Sequence, residues 1–306
     1  RNGLVVDGTG SAPRHADIAI DGGVITAVGD VTETGTREID ATDHIVTPGW
    51  VDVHTHYDGQ VSWDPVMAPS SQHGVTSVIM GNCGVGFAPV RPDAHEFLIE
   101  LMEGVEDIPG SALNEGITWN WESFSEYLDA LEVMPRTIDV GAQLPHAAVR
   151  AYVLGERAHE YDVTAAEIEQ MVDITRDALT AGAFGFSTSR TFLHTSKHGL
   201  VPGTHSTPDE VIAIGEAVRD SGHAVFQYVS DDQGTGGDEP WLDTLTALGC
   251  PTTFTLAQTP AAPEAFRAVL DGALANTEAG SPMTPQVAVR PTGMLYGLQS
   301  SFHPFI

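Results

Sequence analysis

Polar and apolar positions alternate over the first 46 residues of the chain. Residues 17–20 alternate one by one, Asp-Gly-Gly at 21–23 is a hairpin turn sequence, and residues 24–28 follow as the return strand. Such alternation buries one face of a sheet and leaves the other in water. The pattern predicts a small β-module over residues 1–46.

After Pro48 the pattern changes to short apolar runs that alternate with stretches of helical periodicity. Thr164 and Glu167 have the spacing of a capping box, and Thr207 before Pro208 marks another helix start. Strands that alternate with helices indicate βαβ units and a parallel sheet. The seven strand candidates are residues 50–53, 75–80, 137–143, 183–187, 224–229, 252–256 and 286–289. The later helices are predicted at residues 164–179, 207–218, 241–248 and 265–274.

The nearest closed architecture for this pattern is a (β/α)8 TIM-type barrel, which usually spans about 250 residues. A doubly wound sheet is the alternative, but no G-x-G-x-x-G follows the first strand. The sequence therefore predicts a barrel over residues 47–306. Because only seven strand candidates are present, we expect the last strand to lie beyond Ile306, which leaves the barrel incomplete at its C-terminus.

The charge balance of the 306-residue chain narrows the class of partner. There are 13 Lys and Arg against 42 Asp and Glu, for a formal net charge of −29. Phosphate backbones and anionic membranes are bound by clustered basic residues, so we expect neither nucleic acid nor membrane as a partner. No apolar run reaches about 18 residues, the length that indicates a transmembrane helix.

The number of cysteines and the N-terminal sequence indicate the cellular compartment of the protein. Cys83 and Cys250 cannot form a disulfide framework, and no signal peptide is visible, so we expect a cytoplasmic protein. The chain begins at Arg1 without a Met, which we interpret as a trimmed start, and a lost leader stays open. Cys250, at the end of a predicted helix, is interpreted as structural.

Two histidines directly follow the first predicted barrel strand, residues 50–53, whose apolar run predicts a short buried strand. His54 and His56 are two positions apart, so on an extended chain both side chains point into the mouth of the barrel. That geometry suits two ligands of one divalent metal ion. Cys83, which ends the second strand between Gly81 and Gly84, is a candidate third ligand. The alternatives are two polar histidines without a ligand and a small buried cysteine.

Polar residues after the third and fourth strands are candidates for substrate binding. His146 follows the third strand and can reach the mouth, to bind substrate or metal. Ser187 begins the run Ser-Thr-Ser-Arg after the fourth strand. Arg190, which ends that run, can pair with a substrate carboxylate through a bidentate fork, and a surface role is its alternative.

Other polar residues near the predicted mouth are less specific. Asp58 either orients an imidazole or is a loop residue. The two aspartates at 231–232 end the fifth strand and are better placed for chemistry. His194, His198 and His205 are interpreted as loop residues with at most rim contacts.

These motifs together resemble a known family. Residues 45–56, Ile-Val-Thr-Pro-Gly-Trp-Val-Asp-Val-His-Thr-His, are similar to the first-strand signature of the amidohydrolase superfamily. The preceding β-module looks like the small β-sandwich half that precedes the barrel in that family. Residues 81–84 (Gly-Asn-Cys-Gly) and 182–188 (Gly-Ala-Phe-Gly-Phe-Ser-Thr) resemble the N-acyl-D-amino-acid deacylases. The resemblance covers most of the chain and weakens after about Pro260.

The resemblance implies a ligand set and a reaction. In the deacylases the first-strand His pair and the second-strand Cys bind metal, which here means His54, His56 and Cys83. Water activated on Zn²⁺ or another divalent metal hydrolyses a linear amide C–N bond. An Asp on the eighth strand takes the proton and hands it to the leaving amine. The implied partner is a small-molecule substrate, an N-acyl-D-amino acid.

Two departures from the family pattern accompany the resemblance. The deacylases place further metal-binding histidines at the ends of strands five and six, but residues 226–230 and 254–258 contain none. The eighth-strand Asp is expected beyond Ile306, so the catalytic carboxylate is unknown and residues 1–306 alone are expected to hydrolyse amides slowly or not at all. The open edges of strands one and seven also predict association, including a homo-oligomer.

Two other functions stay open on the sequence. One keeps the superfamily chemistry and changes the substrate to a cyclic amide or another target. The other is a truncated or degenerate barrel that binds a small ligand without turnover.

Overall fold

The computed structural model describes residues 1–231, 240–259 and 262–288. The chain divides into two compact units, Arg1–Trp50 and Val51–Ile306. The boundary predicted after residue 46 lies shortly before this division.

The first unit is a sheet of four strands. They are β1 Gly3–Val5, β2 Arg14–Asp21, β3 Val24–Gly29 and β4 Ile45–Val46. Their order is β3-β2-β1-β4, with β2 and β3 antiparallel across the Asp-Gly-Gly turn and β1 parallel to β4. Val5 is buried, whereas Ile20 and Ile25 are exposed. The predicted hairpin is present, and the β-sandwich stays a prediction.

The second unit is built on a sheet of seven strands. The strands that follow the first unit, including two that lie outside this sheet, are in chain order β5 Trp50–Asp52, β6 Val75–Met80, β7 Asp139–Pro145, β8 Gly185–Arg190, β9 Thr195–Ser196, β10 Gly199–Leu200, β11 Val225–Ser230, β12 Thr252–Thr255 and β13 Met283–Gln286. β9 and β10 form a separate hairpin, and the others have the order β13-β12-β11-β8-β7-β6-β5. Neighbours from β6 to β13 pair in parallel. These seven strands correspond to predicted barrel strands one to seven.

Helices connect the strands of this sheet. Within the described ranges they are α1 His95–Glu106, α2 Gly110–Gly116, α3 Phe124–Glu132, α4 His146–Leu154, α5 Ala165–Ala181, α6 Pro208–Ser221, α7 Pro240–Ala247 and α8 Ala265–Glu278. The capping box of Thr164 with Glu167 at α5 and the Thr207 cap with Pro208 at α6 are confirmed. No helix in the described part of the chain has both the length and the apolar composition needed to span a bilayer.

The first four helices have no counterpart in the predicted elements. α1 and α2 begin without a side-chain cap, so the usual start signal is missing from their sequences. α3 does carry a capping box, formed by Ser123 and Glu126, which could have revealed it.

The prediction of a buried first strand is wrong. Trp50 and Val51 in β5 are 60% and 57% exposed. Among the strands that the structure describes, β5 has a neighbour on one side only, so less of its surface is covered. The apolar run indicates a strand, but it does not distinguish an edge strand from a central one.

Several strand ends differ from the predicted ones. β8 extends to Arg190, so Ser187 lies inside the strand and not after it. β13 begins three residues before the strand predicted at 286–289 and ends at Gln286, the first residue of that range, whose last residue lies outside the described residues.

Along β8 and β11, successive side chains point alternately to the hydrophobic core and to the mouth of the barrel. Phe186 and Phe226 are register partners, fully buried, with ring centroids 5.5 Å apart. Ser187 and Gln227, the next residues, are also register partners and point to the opposite face. That face carries polar side chains, and it is where the loop after β6 lies.

The seven-stranded sheet of the described residues is curled, which confirms an α/β fold with a parallel half-barrel. Gln286 at the end of β13 is hydrogen-bonded to His54, just past β5, although β5 and β13 are the two edges of the sheet. Closure by an eighth strand stays a prediction.

Candidate metal centre

The two histidines of the predicted motif lie side by side at the end of β5. The hydroxyl and the backbone N–H of Thr55 both donate to the carbonyl of Ile79, which ties this segment to β6. The rings of His54 and His56 have centroids 5.4 Å apart. One donor atom from each ring and the sulfur of Cys83 all lie within 4.8 Å of one another. The structure thus brings together the three predicted metal ligands.

His54 is held by a contact on each side of its ring. Nδ1 lies 2.7 Å from Oε1 of Gln286, and Nε2 lies 3.2 Å from Sγ of Cys83. Since an amide oxygen only accepts, Nδ1 carries the proton, and the lone pair of Nε2 faces the sulfur. Burial lowers the pKa of His54, which favours the neutral ring that binds metals.

The loop that carries Cys83 requires glycine on both sides. Cys83 itself has φ +57°, and Gly81 has φ +75° with its α-carbon so close to β7 that a Cβ would lie 2.2 Å from the carbonyl oxygen of Gln143. The backbone N–H of Cys83 donates to Oε1 of Gln227 at 3.0 Å. Ser187 accepts from the N–H of Gly84 and donates to the carbonyl of Gly81. Ser187 and Gln227 therefore fix the position of the sulfur.

The thiol of Cys83 is protonated when no cation is nearby. Burial, and after it the carboxyl groups of Glu106 and Asp58, raise its pKa well above the usual range. A bound divalent cation reverses this bias, because it stabilises the thiolate directly.

Two further donors at this site were not predicted. Glu106, the last residue of α1, has Oε1 3.2 Å from Nε2 of His56. His194, predicted to be a loop residue, has Nδ1 2.9 Å from Oγ of Ser189. Cys83, Glu106 and His194 form a second group of donors within 4.8 Å of one another. Neither residue belongs to a local motif, so sequence spacing gave no signal for them.

Burial shifts the pKa values of the titratable groups at this site. Burial, and after it the charges of Asp58 and Asp107, raise the pKa of Glu106 to about 7. Burial and the neighbouring His54 lower the pKa of His194 to about 4. Asp58 is 3% exposed, and burial raises its pKa to about 7. Without a cation the site is therefore biased towards neutral side chains.

The donor set fits a zinc ion. Imidazole nitrogen, thiolate sulfur and carboxylate oxygen are the ligands that Zn²⁺ takes in proteins, and the spacings above allow them to converge on one point. Nδ1 of His56 and Oδ2 of Asp58 are also buried without a hydrogen-bond partner among the residues that the structure describes. Buried polar atoms are normally paired, so these two indicate a site that is completed by a ligand.

Arg190 ends β8 at the mouth. Its Nη1 donates to the carbonyl of Gly203 at 3.0 Å and to Oγ of Ser206 at 3.1 Å. The hydroxyl of Ser187 is engaged with the Cys83 loop, as described above. Substrate binding by Arg190 and by Ser187 stays a prediction.

His146 is not part of either donor group. It begins α4, is fully buried, and has Nδ1 2.8 Å from Oγ1 of Thr188 and Nε2 2.7 Å from Oε1 of Glu210. Glu210 also accepts from the guanidinium of Arg150, so the four side chains form a buried network between α4, β8 and α6. Substrate binding by His146 stays a prediction, and it would require the ring to give up one of these hydrogen bonds.

The remaining candidates lie in loops. Asp231 accepts from the hydroxyl of Thr191 and from the N–H of Phe192, and it thereby shapes the segment before His194. Asp232 lies outside the described residues. His198 pairs with Glu100 of α1.

Comparison with known proteins identifies the family. The amidohydrolase family profile matches residues 37–305, so the chain belongs to the amidohydrolase family. An uncharacterised protein of Mycobacterium tuberculosis is 38% identical over 197 residues, which are 61% of this chain and 31% of that protein. The D-aminoacylase of Alcaligenes xylosoxydans xylosoxydans is 29% identical over 231 residues, 75% of this chain and 43% of the enzyme.

Solved structures agree with this placement. A structure of D-aminoacylase, described with a binuclear metal centre, superimposes with a TM-score of 0.76 at 28% identity and covers 94% of this chain and 57% of the other. N-acyl-D-glutamate deacylase from Bordetella bronchiseptica, complexed with zinc and a phosphonate inhibitor, gives 0.73 at 25% identity, covering 95% and 58%. The chain thus spans little more than half the length of these enzymes.

Proposed function

We propose that this protein is a metal-dependent hydrolase of linear amide C–N bonds, with N-acyl-D-amino acids as its substrate class. The observation that carries the proposal is the convergence of His54, His56 and Cys83 within 4.8 Å at the carboxyl ends of β5 and β6. In barrels of this type the carboxyl ends of the strands form the active site.

The chain's own residues supply the metal site and its support. His54, His56 and Cys83 hold the ion, Gln286 orients His54, and Gln227 with Ser187 fixes the Cys83 loop. When held by these residues, Zn²⁺ would supply Lewis-acid chemistry, which would lower the pKa of a bound water to about 7 and polarise the amide carbonyl.

The substrate class is supported by the relatives and by one side chain. The D-aminoacylase and the N-acyl-D-aspartate and N-acyl-D-glutamate deacylases of Alcaligenes xylosoxydans xylosoxydans are 29%, 30% and 34% identical to matched parts of the chain. An N-acyl-D-amino acid carries a carboxylate beside the amide. Arg190, at the carboxyl end of β8, binds that carboxylate through its guanidinium in this proposal.

The test is a turnover assay with protein expressed from its whole gene. N-acetyl-D-amino acids with acidic and apolar side chains are supplied with added Zn²⁺, and the L enantiomers serve as the matched control. We expect release of the D-amino acid that requires the metal and is lost in His54→Gln. Equal rates on D and L substrates, or activity that persists in His54→Gln, contradicts the proposal.

A second candidate is a barrel that binds a small ligand without turnover. It is favoured by one observation: residues 226–230 and 254–258 contain no histidine, although the resemblance places metal-binding histidines there. This candidate predicts retained metal with no hydrolysis of linear or cyclic amides. The same assay, extended to cyclic amides, separates it from the first.

A further inference from the structure

A cavity lies between helix α3 and the sheet, beside the start of β7. Its volume is about 520 Å³, within the range of small-molecule sites, which is about 300–1,000 Å³. The register of β7 with β8 pairs Pro145 with Ser187, so Ala142, three residues before Pro145, points to the opposite face. Met80 is the register partner of Ala142 and lines the cavity with it. The cavity therefore faces the helices and not the metal centre.

The walls of this cavity are largely apolar. Leu128 and Leu131 of α3 line one side, and Val140 of β7 lines the other. Met134, in the connection from α3 to β7, also contributes to the wall. Aliphatic walls of this kind suit an aliphatic group of a ligand, and the few polar groups then determine which ligand is bound.

Arg136 is the basic residue of the cavity wall. Its Nη2 donates to the carbonyl of Leu131 at 2.6 Å, near the end of α3. Its Nη1 is buried and has no hydrogen-bond partner among the residues that the structure describes. The backbone beside it is fixed, because Thr137 donates to the carbonyls of Pro65 and Val66. Buried polar atoms are normally paired, so Nη1 indicates an acceptor that comes from a ligand.

The charges around the cavity restrict that ligand further. Burial lowers the pKa of Arg136, and Tyr127 and Asp139 offset this effect only in part, so the positive charge is incompletely compensated. A carboxylate matches the planar guanidinium. Glu132 and Asp139, both exposed, also line the cavity and disfavour a ligand that is only negative. A zwitterion provides a partner for both signs of charge.

We propose that this cavity binds a free α-amino acid with an aliphatic side chain. The carboxylate of the ligand pairs with Arg136, its ammonium group lies near Glu132 and Asp139, and its side chain packs against Met80 and Leu131. The site goes beyond the proposed function and does not depend on it, because no residue of the metal centre takes part. Two sources share this chemistry: the D-amino acid that the proposed reaction releases, and free L-amino acids.

The experiment is a calorimetric titration of protein expressed from its whole gene. D-leucine and L-leucine are the probes. Leucinamide, which lacks the carboxylate, and 4-methylpentanoate, which lacks the ammonium group, are the matched ligand controls. The test variants are Arg136→Gln and Met134→Trp, which fills the cavity. Arg176→Gln, an exposed position on α5, is the control variant, and Arg190→Gln reports binding at the mouth.

The proposal predicts that leucine binds wild-type protein, Arg176→Gln and Arg190→Gln with the same affinity. Arg136→Gln and Met134→Trp are expected to bind it at least about tenfold more weakly, as are leucinamide and 4-methylpentanoate with the wild type. Preference for D-leucine identifies the product of the proposed reaction as the ligand, and any other ratio identifies free L-amino acids.

Three results would overturn the proposal. They are no binding of either enantiomer, wild-type affinity in both Arg136→Gln and Met134→Trp, and binding that is lost in Arg190→Gln but kept in Arg136→Gln. Should a test variant melt below the wild type, the two leucine analogues still decide the point, because they are measured on wild-type protein. The titration requires no turnover, so a failure of the proposed function leaves its result unchanged.

Discussion

His54 and Gln286 stand 232 residues apart in the chain, yet Nδ1 of the histidine lies 2.7 Å from Oε1 of the glutamine. One follows the first strand of the sheet and the other ends the seventh, so the contact joins the two edges of the curled sheet. It also fixes the ring of His54 so that Nε2 faces Cys83. A single hydrogen bond thus connects the curvature of the sheet with the orientation of a metal ligand.

Replacing Gln286 should weaken metal binding without removing a ligand. Side chains that orient a metal-bound histidine typically contribute about 10–100-fold in affinity, so Gln286→Leu is expected to lower zinc affinity by that factor. Gln286→Glu keeps an acceptor for Nδ1 and should retain the affinity. The measurement is a zinc titration against a competing chelator. Equal affinities for the Leu and Glu variants would show that the contact has no orienting role.

Cys83→Ala should reduce metal affinity while the fold persists. The sulfur is buried beside His54, and its removal takes away a ligand together with a small volume. Cys250→Ala is the control, because Cys250 is equally buried but belongs to neither donor group. Zinc titration and thermal melting decide the point. A Cys83→Ala titration curve that matches both the wild type and Cys250→Ala would count against the ligand role.

Glu210 should be important for stability and not for metal binding. Its carboxylate is fully buried and pairs with Arg150 and His146. Removing one partner of a buried ion pair typically costs about 3–5 kcal/mol, because the other charge is left uncompensated. Glu210→Ala is therefore expected to lower the free energy of unfolding by about this amount. Glu216→Ala, an exposed position on the same helix, should change it little, and an equal loss in both variants would refute the network.

Glu167 should make stability depend on pH in the acid range. The N–H and hydroxyl of Thr164, followed by Arg157, lower its pKa from 4.5 to about 2 in the folded protein. A depressed carboxyl pKa stabilises the fold above the unfolded value, and this contribution is lost as pH falls from about 4.5 to about 2. The melting temperature of the wild type should exceed that of Glu167→Gln at pH 7, and the gap should narrow below pH about 4.5.

Glu169→Gln is the control for that measurement, since it removes the same charge from an exposed position on the same helix. If Glu167→Gln lowers the melting temperature at pH 7 no more than Glu169→Gln does, the contacts of Glu167 with Thr164 and Arg157 make no specific contribution to stability.

Local signals in the sequence predicted the elements that depend on them. β6 is observed at the predicted residues, and the caps of α5 and α6 lie at Thr164 and Thr207. The His pair and Cys83 were also predictable, because a strand places alternate residues on one face and parallel strands end at one edge.

Contacts between distant segments could not be predicted in this way. Glu106 reaches the site only because Gly104 lets α1 approach the β9–β10 hairpin, and His194 only because that hairpin folds back on the helix. Gln286 meets His54 through the curl of the whole sheet. The exposure of β5 follows from its edge position, which the apolar pattern of residues 50–53 does not record.

X-ray absorption at the zinc edge tests the central claim, that Cys83 and the histidines hold a metal, most directly. Protein loaded with Zn²⁺ and dialysed should show sulfur at about 2.3 Å from the zinc and nitrogen or oxygen at about 2.0–2.1 Å. The sulfur signal should persist in Cys250→Ala and disappear in Cys83→Ala. Retained zinc surrounded by nitrogen and oxygen alone in the wild type, or no zinc retained after dialysis, would contradict the account.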